Sequence, residues 1–150
     1  MDFAHWLVLM STAITLYVLG GIWFAQIVVY PLFAKVGGTE YVAYHRYYSS
    51  RIPFPVILPG FASFLLPIAL LFVRPESVSL LLVAANAVCA TVGLLVTVAL
   101  EIPRHRRLAR TGKEDHVIRE LVAYNWPRTL SISGCALLSL AMLVEAFVPN

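Results

Sequence analysis

Four long apolar stretches alternate with shorter polar ones along the chain. They run from about Phe3 to Tyr30, Ile52 to Val73, Val78 to Ile102 and Thr129 to Val148. Each can supply the roughly 20 residues that a helix needs to cross a bilayer. The pattern predicts an all-α protein, a four-helix transmembrane bundle forming a single integral membrane domain over residues 1–150. Pro31 is expected to close the first span. In the second, Pro53, Pro55, Pro59 and Pro67 each remove a backbone donor and predict an irregular or kinked entry.

The polar segments carry their own patterns. KVGGTEYVAYHRYYSSR is tyrosine-rich and too short to span, and Thr39 to Ser50 reads as a short helix at the headgroup level with Thr39 as its N-cap. From Glu114 to Trp126, helical spacing of Val117, Ile118, Leu121 and Val122 predicts an amphipathic stretch lying at the interface. Small residues at Gly20, Gly21 and Ala25, and again at Ser131, Cys135 and Ser139, predict close helix packing. Asn86, inside the third span, should bond a neighbouring helix.

Charge sets the expected orientation. Ten of the eleven Lys and Arg residues fall in the first and third connections and only Arg74 in the second. By the positive-inside bias those two connections, with their short interfacial helices, face the cytoplasm and both termini lie outside, in a bacterial inner membrane. No Lys or Arg precedes the first stretch, so it reads as a retained span and not a cleaved signal peptide. Composition agrees: 60% of the 150 residues are hydrophobic and 13% charged, with a mean hydropathy of +0.82. The net charge of +3 belongs to the loops and implies no nucleic-acid partner. Measured from the cytoplasmic end, Cys89 and Cys135 are expected about 20 Å and about 9 Å deep, too far apart to bridge.

Candidate chemistry gathers at the cytoplasmic face. Glu101 and His105, four residues apart, share a face if the third span continues as a helix through Pro103. A carboxylate in the last turn of a span is costly unless paired, protonated or hydrated. With His45 from the first connection, the three form a catalytic candidate set. Two imidazoles and a carboxylate also suit iron or zinc, so metal or haem ligation, proton handling, and plain pairing of Glu101 with Arg104 or Arg128 all stand as readings. Helical spacing puts Tyr41 and Tyr48 on the face of His45. The cluster of Tyr30, Tyr41, Tyr44, Tyr47 and Tyr48 reads as an aromatic belt or as the wall of a pocket for a flat apolar ligand, with Tyr44 and Tyr48 as its candidates. Asn125, Trp126 and Arg128 either anchor the entry to the fourth span or orient a ligand's polar head. His116 reads as solvated and His5 as an interface residue. The absence of phosphate-loop, nucleophile-triad and CxxC motifs speaks against nucleotide hydrolysis and thiol redox chemistry.

The runs VVYPLFAKVGG, YHRYYSSRI, EIPRHRRL and NWPRT, in this order and spacing, resemble a family of small bacterial four-span proteins, mostly uncharacterised and related to the anthrone-oxygenase-like group. The resemblance implies a four-helix membrane bundle with Pro103, His105 and Leu108 after the third span and Asn125, Trp126, Arg128 and Thr129 before the fourth. Named members of that group oxidise polycyclic anthrones to quinones with molecular oxygen. Many relatives carry Gln where Glu101 stands and Asn near His105.

The resulting expectation is a small membrane oxidoreductase or oxygenase-like protein binding an apolar aromatic or quinone-like molecule at the cytoplasmic leaflet. The rival is a non-catalytic subunit or lipid-binding protein, with membrane lipid, a second copy or a larger complex as partner. A transporter is disfavoured because no charged residue sits near the middle of a span.

Overall fold

The computed structural model describes residues 1–148. It is all-α, with no strand among those residues. We number the helices α1 (Phe3–Phe33), α2 (Tyr41–Arg51), α3 (Pro53–Leu70), α4 (Leu80–Thr111) and α5 (Asp115–Phe147). All but α2 are long and apolar enough to cross a membrane, so the chain folds as a multi-pass bundle of four antiparallel helices.

Three of the helices overrun the expected spans. The 33 residues of α5 make a rod of about 50 Å, well beyond a hydrocarbon core of about 30 Å. Pro31 does not end α1, which continues to Phe33. The segment Glu114 to Trp126 is not a separate stretch along the interface, because from Asp115 it is the start of α5. Its apolar residues Val117, Ile118 and Leu121 pack against Tyr30, Phe33, Tyr41 and Leu108. That cluster caps the charged end of the bundle, so the amphipathic face is covered by protein. The short helix α2 forms, but it begins at Tyr41, and neither Thr39 nor Glu40 caps it through a side chain.

Prolines are accommodated by widened turns. The amides of Tyr30, Leu58 and Ile102 bond carbonyls five residues back, at Ala25, Pro53 and Thr97. Each widened π turn lies just before a proline: Pro31, Pro59 and Pro103 respectively. A proline deprives the carbonyl four residues earlier of its donor and crowds it, and a π turn relieves both without breaking the helix. The expected irregular entry to the second span takes this form.

Polar bonds set the helix register. Asn86 on α4 donates to Ser139 Oγ at 2.8 Å, Cys135 Sγ donates to the Asn86 carbonyl at 3.7 Å, and Ser131 donates to the Cys89 carbonyl. From α1, Thr12 reaches the Ser139 carbonyl at 3.3 Å and Trp23 Nε1 donates to Ser133 at 3.1 Å. The stripe Ser131, Cys135 and Ser139 therefore faces α4, as its small residues predict. Both cysteines are free, yet the expected difference in depth is not found. A Cβ at Gly134, next to Cys135, would stand 3.3 Å from Cys89 Sγ. The depths were measured from Ile102 and Thr129 as if these were level, whereas Arg104 is level with Glu120.

The connection after α4 is a built turn. Gly112 adopts a φ of 90°, which favours glycine, and its amide caps α4 at Leu108. Glu114 then accepts from Arg107 at 2.9 Å and from Thr111, and those bonds hold its carboxyl low, at about 2. Lys113 donates to the carbonyls of Ala34 and Val36 at 2.8 and 2.9 Å, tying down the end of α1.

Close packing is concentrated at Gly93. A Cβ there would meet Phe64 Cε1 at 2.8 Å and Ser131 Oγ at 3.3 Å, whereas one at Gly20 would meet nothing within 4 Å. Replacing Gly93 by Ala is expected to cost roughly 1 to 3 kcal/mol through overpacking. Gly20→Ala should be neutral or slightly stabilising. Thermal unfolding of both variants in detergent checks the contrast, and equal midpoints would contradict it.

Candidate functional site

The charged end of the bundle encloses a chain of side-chain hydrogen bonds. His105, one turn beyond Glu101 on α4, has Nε2 at 3.2 Å from Tyr30 Oη on α1 and Nδ1 at 3.3 Å from His45 Nε2 on α2. His45 Nδ1 in turn lies 3.4 Å from Ser49 Oγ. Phenol, imidazole, imidazole and hydroxyl thus form one line. It is satisfied with its protons pointing in either direction, because each neutral imidazole offers one donor and one acceptor. Reversing all of them moves a proton from one end to the other.

Aromatic rings hold this line in place. Tyr41 stacks on His45 and Tyr48 on His105, with centroids 5.9 and 6.0 Å apart. Phe33 packs edge-on against both imidazoles at 5.3 and 6.1 Å. His45 is fully buried, and that burial pushes its pKa below the ordinary 6.5. Burial also pushes the phenols of Tyr41 and Tyr48 up to about 12, so both stay protonated.

A cavity of about 390 Å³ opens beside the line. Glu101, His105, Arg128, Tyr30, Tyr48 and Thr97 are among its polar residues, with Arg106 and the Ser49 that ends the line, and Ile52, Val56, Gly60, Phe61 and Phe64 are among its apolar walls. Glu101 is 1% exposed and neither carboxyl oxygen has a hydrogen-bond partner. Arg128 is 8% exposed, and its Nε is also without a partner. Arg104, the other cation near Glu101, is turned away to Glu120 at 3.0 Å, to the Leu100 carbonyl at 2.8 Å and over the Tyr124 ring. Buried polar atoms left unbonded are expensive, and Glu101 and Arg128, which both carry such atoms, stand on this wall.

The residues singled out in the sequence divide into three groups. Glu101, His105, Tyr48 and Arg128 line the cavity. His45 and Tyr44 stand behind it, His45 bonded to His105 and Tyr44 packed edge-on against Phe33 at 6.0 Å. Asn125 is buried on α5, where it donates to Gln26 Oε1 at 2.9 Å and to Thr129 at 3.2 Å and accepts from Arg128 at 3.4 Å. Trp126 is 43% exposed and packs edge-on against Trp23 at 5.8 Å, outside the cavity lining. Asn125 therefore orients Arg128, and Trp126 stays at the surface.

Two residues at the site are not among the candidates that the sequence offers. Tyr30, read only as part of the tyrosine belt, terminates the imidazole line. Gln26, 3% exposed, donates to the Val122 carbonyl at 3.1 Å and accepts from Asn125, locking α1 to α5 beside the site. A glutamine one turn before a Tyr-Pro pair in an apolar span was the available signal.

The donor set does not fit a metal. No three His, Cys, Asp or Glu residues among those described come close enough together to hold an ion, and an open catalytic site uses three protein ligands. Both nitrogens of His105 already have partners, which leaves none for axial haem ligation.

No family model, curated protein or solved structure matches the chain.

The depressed pKa of His45 has a definite sign. The unfolded chain binds a proton near pH 6.5 that the folded one refuses, so this contribution to stability is complete above pH 6.5 and lost as pH falls below it. Thermal midpoints measured between pH 8 and pH 5 should decline below about pH 6.5. The decline should be shallower in His45→Gln, and identical profiles would contradict the burial of a neutral imidazole.

Proposed function

We propose that the protein is a small membrane oxidoreductase or oxygenase-like enzyme. It binds a flat apolar aromatic or quinone-like molecule at the cytoplasmic leaflet and removes a proton from it. One observation carries this reading: a cavity with apolar walls shares its polar wall with a buried hydrogen-bonded line that can move a proton. The cavity volume of about 390 Å³ falls within the range of small-molecule sites. The split of Lys and Arg supports the cytoplasmic side.

The chemistry follows from the groups present. A ligand hydroxyl placed at Tyr30 gives its proton to Tyr30 Oη while Tyr30 passes its own to His105 Nε2. His105 then releases Nδ1–H to His45 Nε2, His45 releases Nδ1–H to Ser49 Oγ, and Ser49, part-exposed and itself on the cavity wall, gives up its hydroxyl proton to water. Arg128, on the same wall, holds the negative charge left on the ligand oxygen, and burial makes that attraction stronger than in water. Glu101 is a second proton acceptor on the same wall. An aromatic anion formed in this way is electron-rich and can give two electrons to molecular oxygen, the oxidant that the resemblance implies. The hydroquinone monoanion then yields a quinone and hydrogen peroxide, whose two protons are the one left on its second hydroxyl and one returned along the imidazole line. His45 acts through His105 and is a positioning and relay residue.

Oxygen uptake by the purified protein in nanodiscs, supplied with a naphthohydroquinone, tests the reading. His105→Ala should lower the rate by roughly 10²-fold or more while ligand binding changes only severalfold. If the hydroquinone shows no saturable binding, the oxidoreductase reading fails and the non-catalytic subunit or lipid-binding protein replaces it.

A further inference from the structure

A second cavity, of about 330 Å³, adjoins the first. Tyr30, Tyr48, Ile52, Val56 and Arg128 line both, so they form a shared wall. Beyond that wall the second cavity follows α1 past Val29, Ala25, Ile22, Gly21 and Val18, a rise of about 16 Å at 1.5 Å per residue. It offers almost no polar chemistry of its own, since the Tyr17 hydroxyl is already donated to the Pro55 carbonyl at 3.0 Å. Gly21 has open space where a Cβ would stand, with nothing within 4 Å. Space that the protein itself leaves unfilled runs from the Arg128 guanidinium along the first helix.

We infer that the ligand is a tailed amphiphile, whose ring occupies the cavity at Glu101 and His105 and whose linear alkyl or isoprenoid chain lies in the groove along α1. This rests on the ring-binding reading above and extends it to a substrate class. The shared wall is the argument for a single occupant. Arg128 is more than nine-tenths buried and lines both spaces, so a polar group anchored at its guanidinium leaves its apolar remainder only these two ways to go. A tail leaving the bilayer for the groove gains no hydrophobic free energy, because lipid is as apolar as the groove. Its preference comes from dispersion contacts, and about ten well-formed ones correspond to about a tenfold gain.

The test compares a naphthoquinone with the same ring bearing a saturated decyl chain. Binding to the full chain in nanodiscs is measured at matched mole fraction in the lipid, so that partitioning cancels. The wild-type protein should prefer the tailed ring about tenfold. Gly21→Leu fills the groove and should abolish that preference while leaving the affinity for the bare ring unchanged. Gly20→Leu, on the same helix and outside the groove lining, should keep it. If the bare ring binds but the tail adds nothing in the wild type, the inference is overturned while the ring reading survives. Persistence of the preference in Gly21→Leu, or displacement of the tailed ring by decanol alone, would also overturn it, the latter by assigning the groove to ordinary lipid chains. Absence of binding by either ring removes both readings together.

Discussion

A polar side chain buried beside lipid has no water to turn to, so its bonds must close within the protein, and most of those bonds here end on α5. Thr12, Trp23 and Gln26 reach α5 from one side and Asn86 from the other, while Ser131 donates outward to the Cys89 carbonyl on α4. Each such bond has one satisfactory register, and a slip by a turn would leave both partners orphaned. That shared register brings Gln26 on α1 and Glu101 on α4 to the level of Asn125 and Arg128. Tyr30 and His105 lie one turn further along their helices, where α2 can add His45. The site is the far end of a packing scheme fixed by polar bonds through the middle of the bundle.

The widened turns act at the same level. In each of α1 and α4 a π turn ends within one residue of a cavity residue, Tyr30 in one and Glu101 in the other. One extra residue in a turn rotates everything after it by about 100° relative to a regular helix. The prolines that impose these turns therefore decide which side chains face the cavity. They also let α1 and α4 continue beyond the lipid, where Tyr30, Leu108 and the start of α5 pack together at the end of the bundle.

Much of this was legible in the chain. The four spans follow from hydropathy alone, because no other arrangement hides that much apolar surface, and the pairing of Asn86 follows from one amide in an apolar helix. Charge distribution and depth place His45, Glu101, His105, Asn125 and Arg128 at one end of the bundle, but not which of them line the cavity: Glu101, His105 and Arg128 do, while His45 and Asn125 stand behind it. What could not be read was phase and level. The face taken by Tyr30 depends on a turn that departs from 3.6 residues, and the true level of Cys135 depends on α5 starting at Asp115. Gln26 looked like an isolated polar residue because its partners, Val122 and Asn125, are about a hundred positions away. Asn125 and Trp126 are neighbours in sequence with opposite fates, one buried in a hydrogen-bond network and one at the surface, and only helix packing distinguishes them.

The central claim is that the buried His45 and the cavity-lining His105 form one hydrogen-bonded unit with Tyr30. Nitrogen NMR of the protein in nanodiscs, with histidine labelled at both ring nitrogens and assigned by His45→Gln, tests it most directly. The account predicts a coupling through the hydrogen bond between His45 Nε2 and His105 Nδ1, with His45 less protonated at pH 6.5 than a solvated histidine, which is half protonated there. Two uncoupled imidazoles, with His45 titrating like a free histidine, would contradict it.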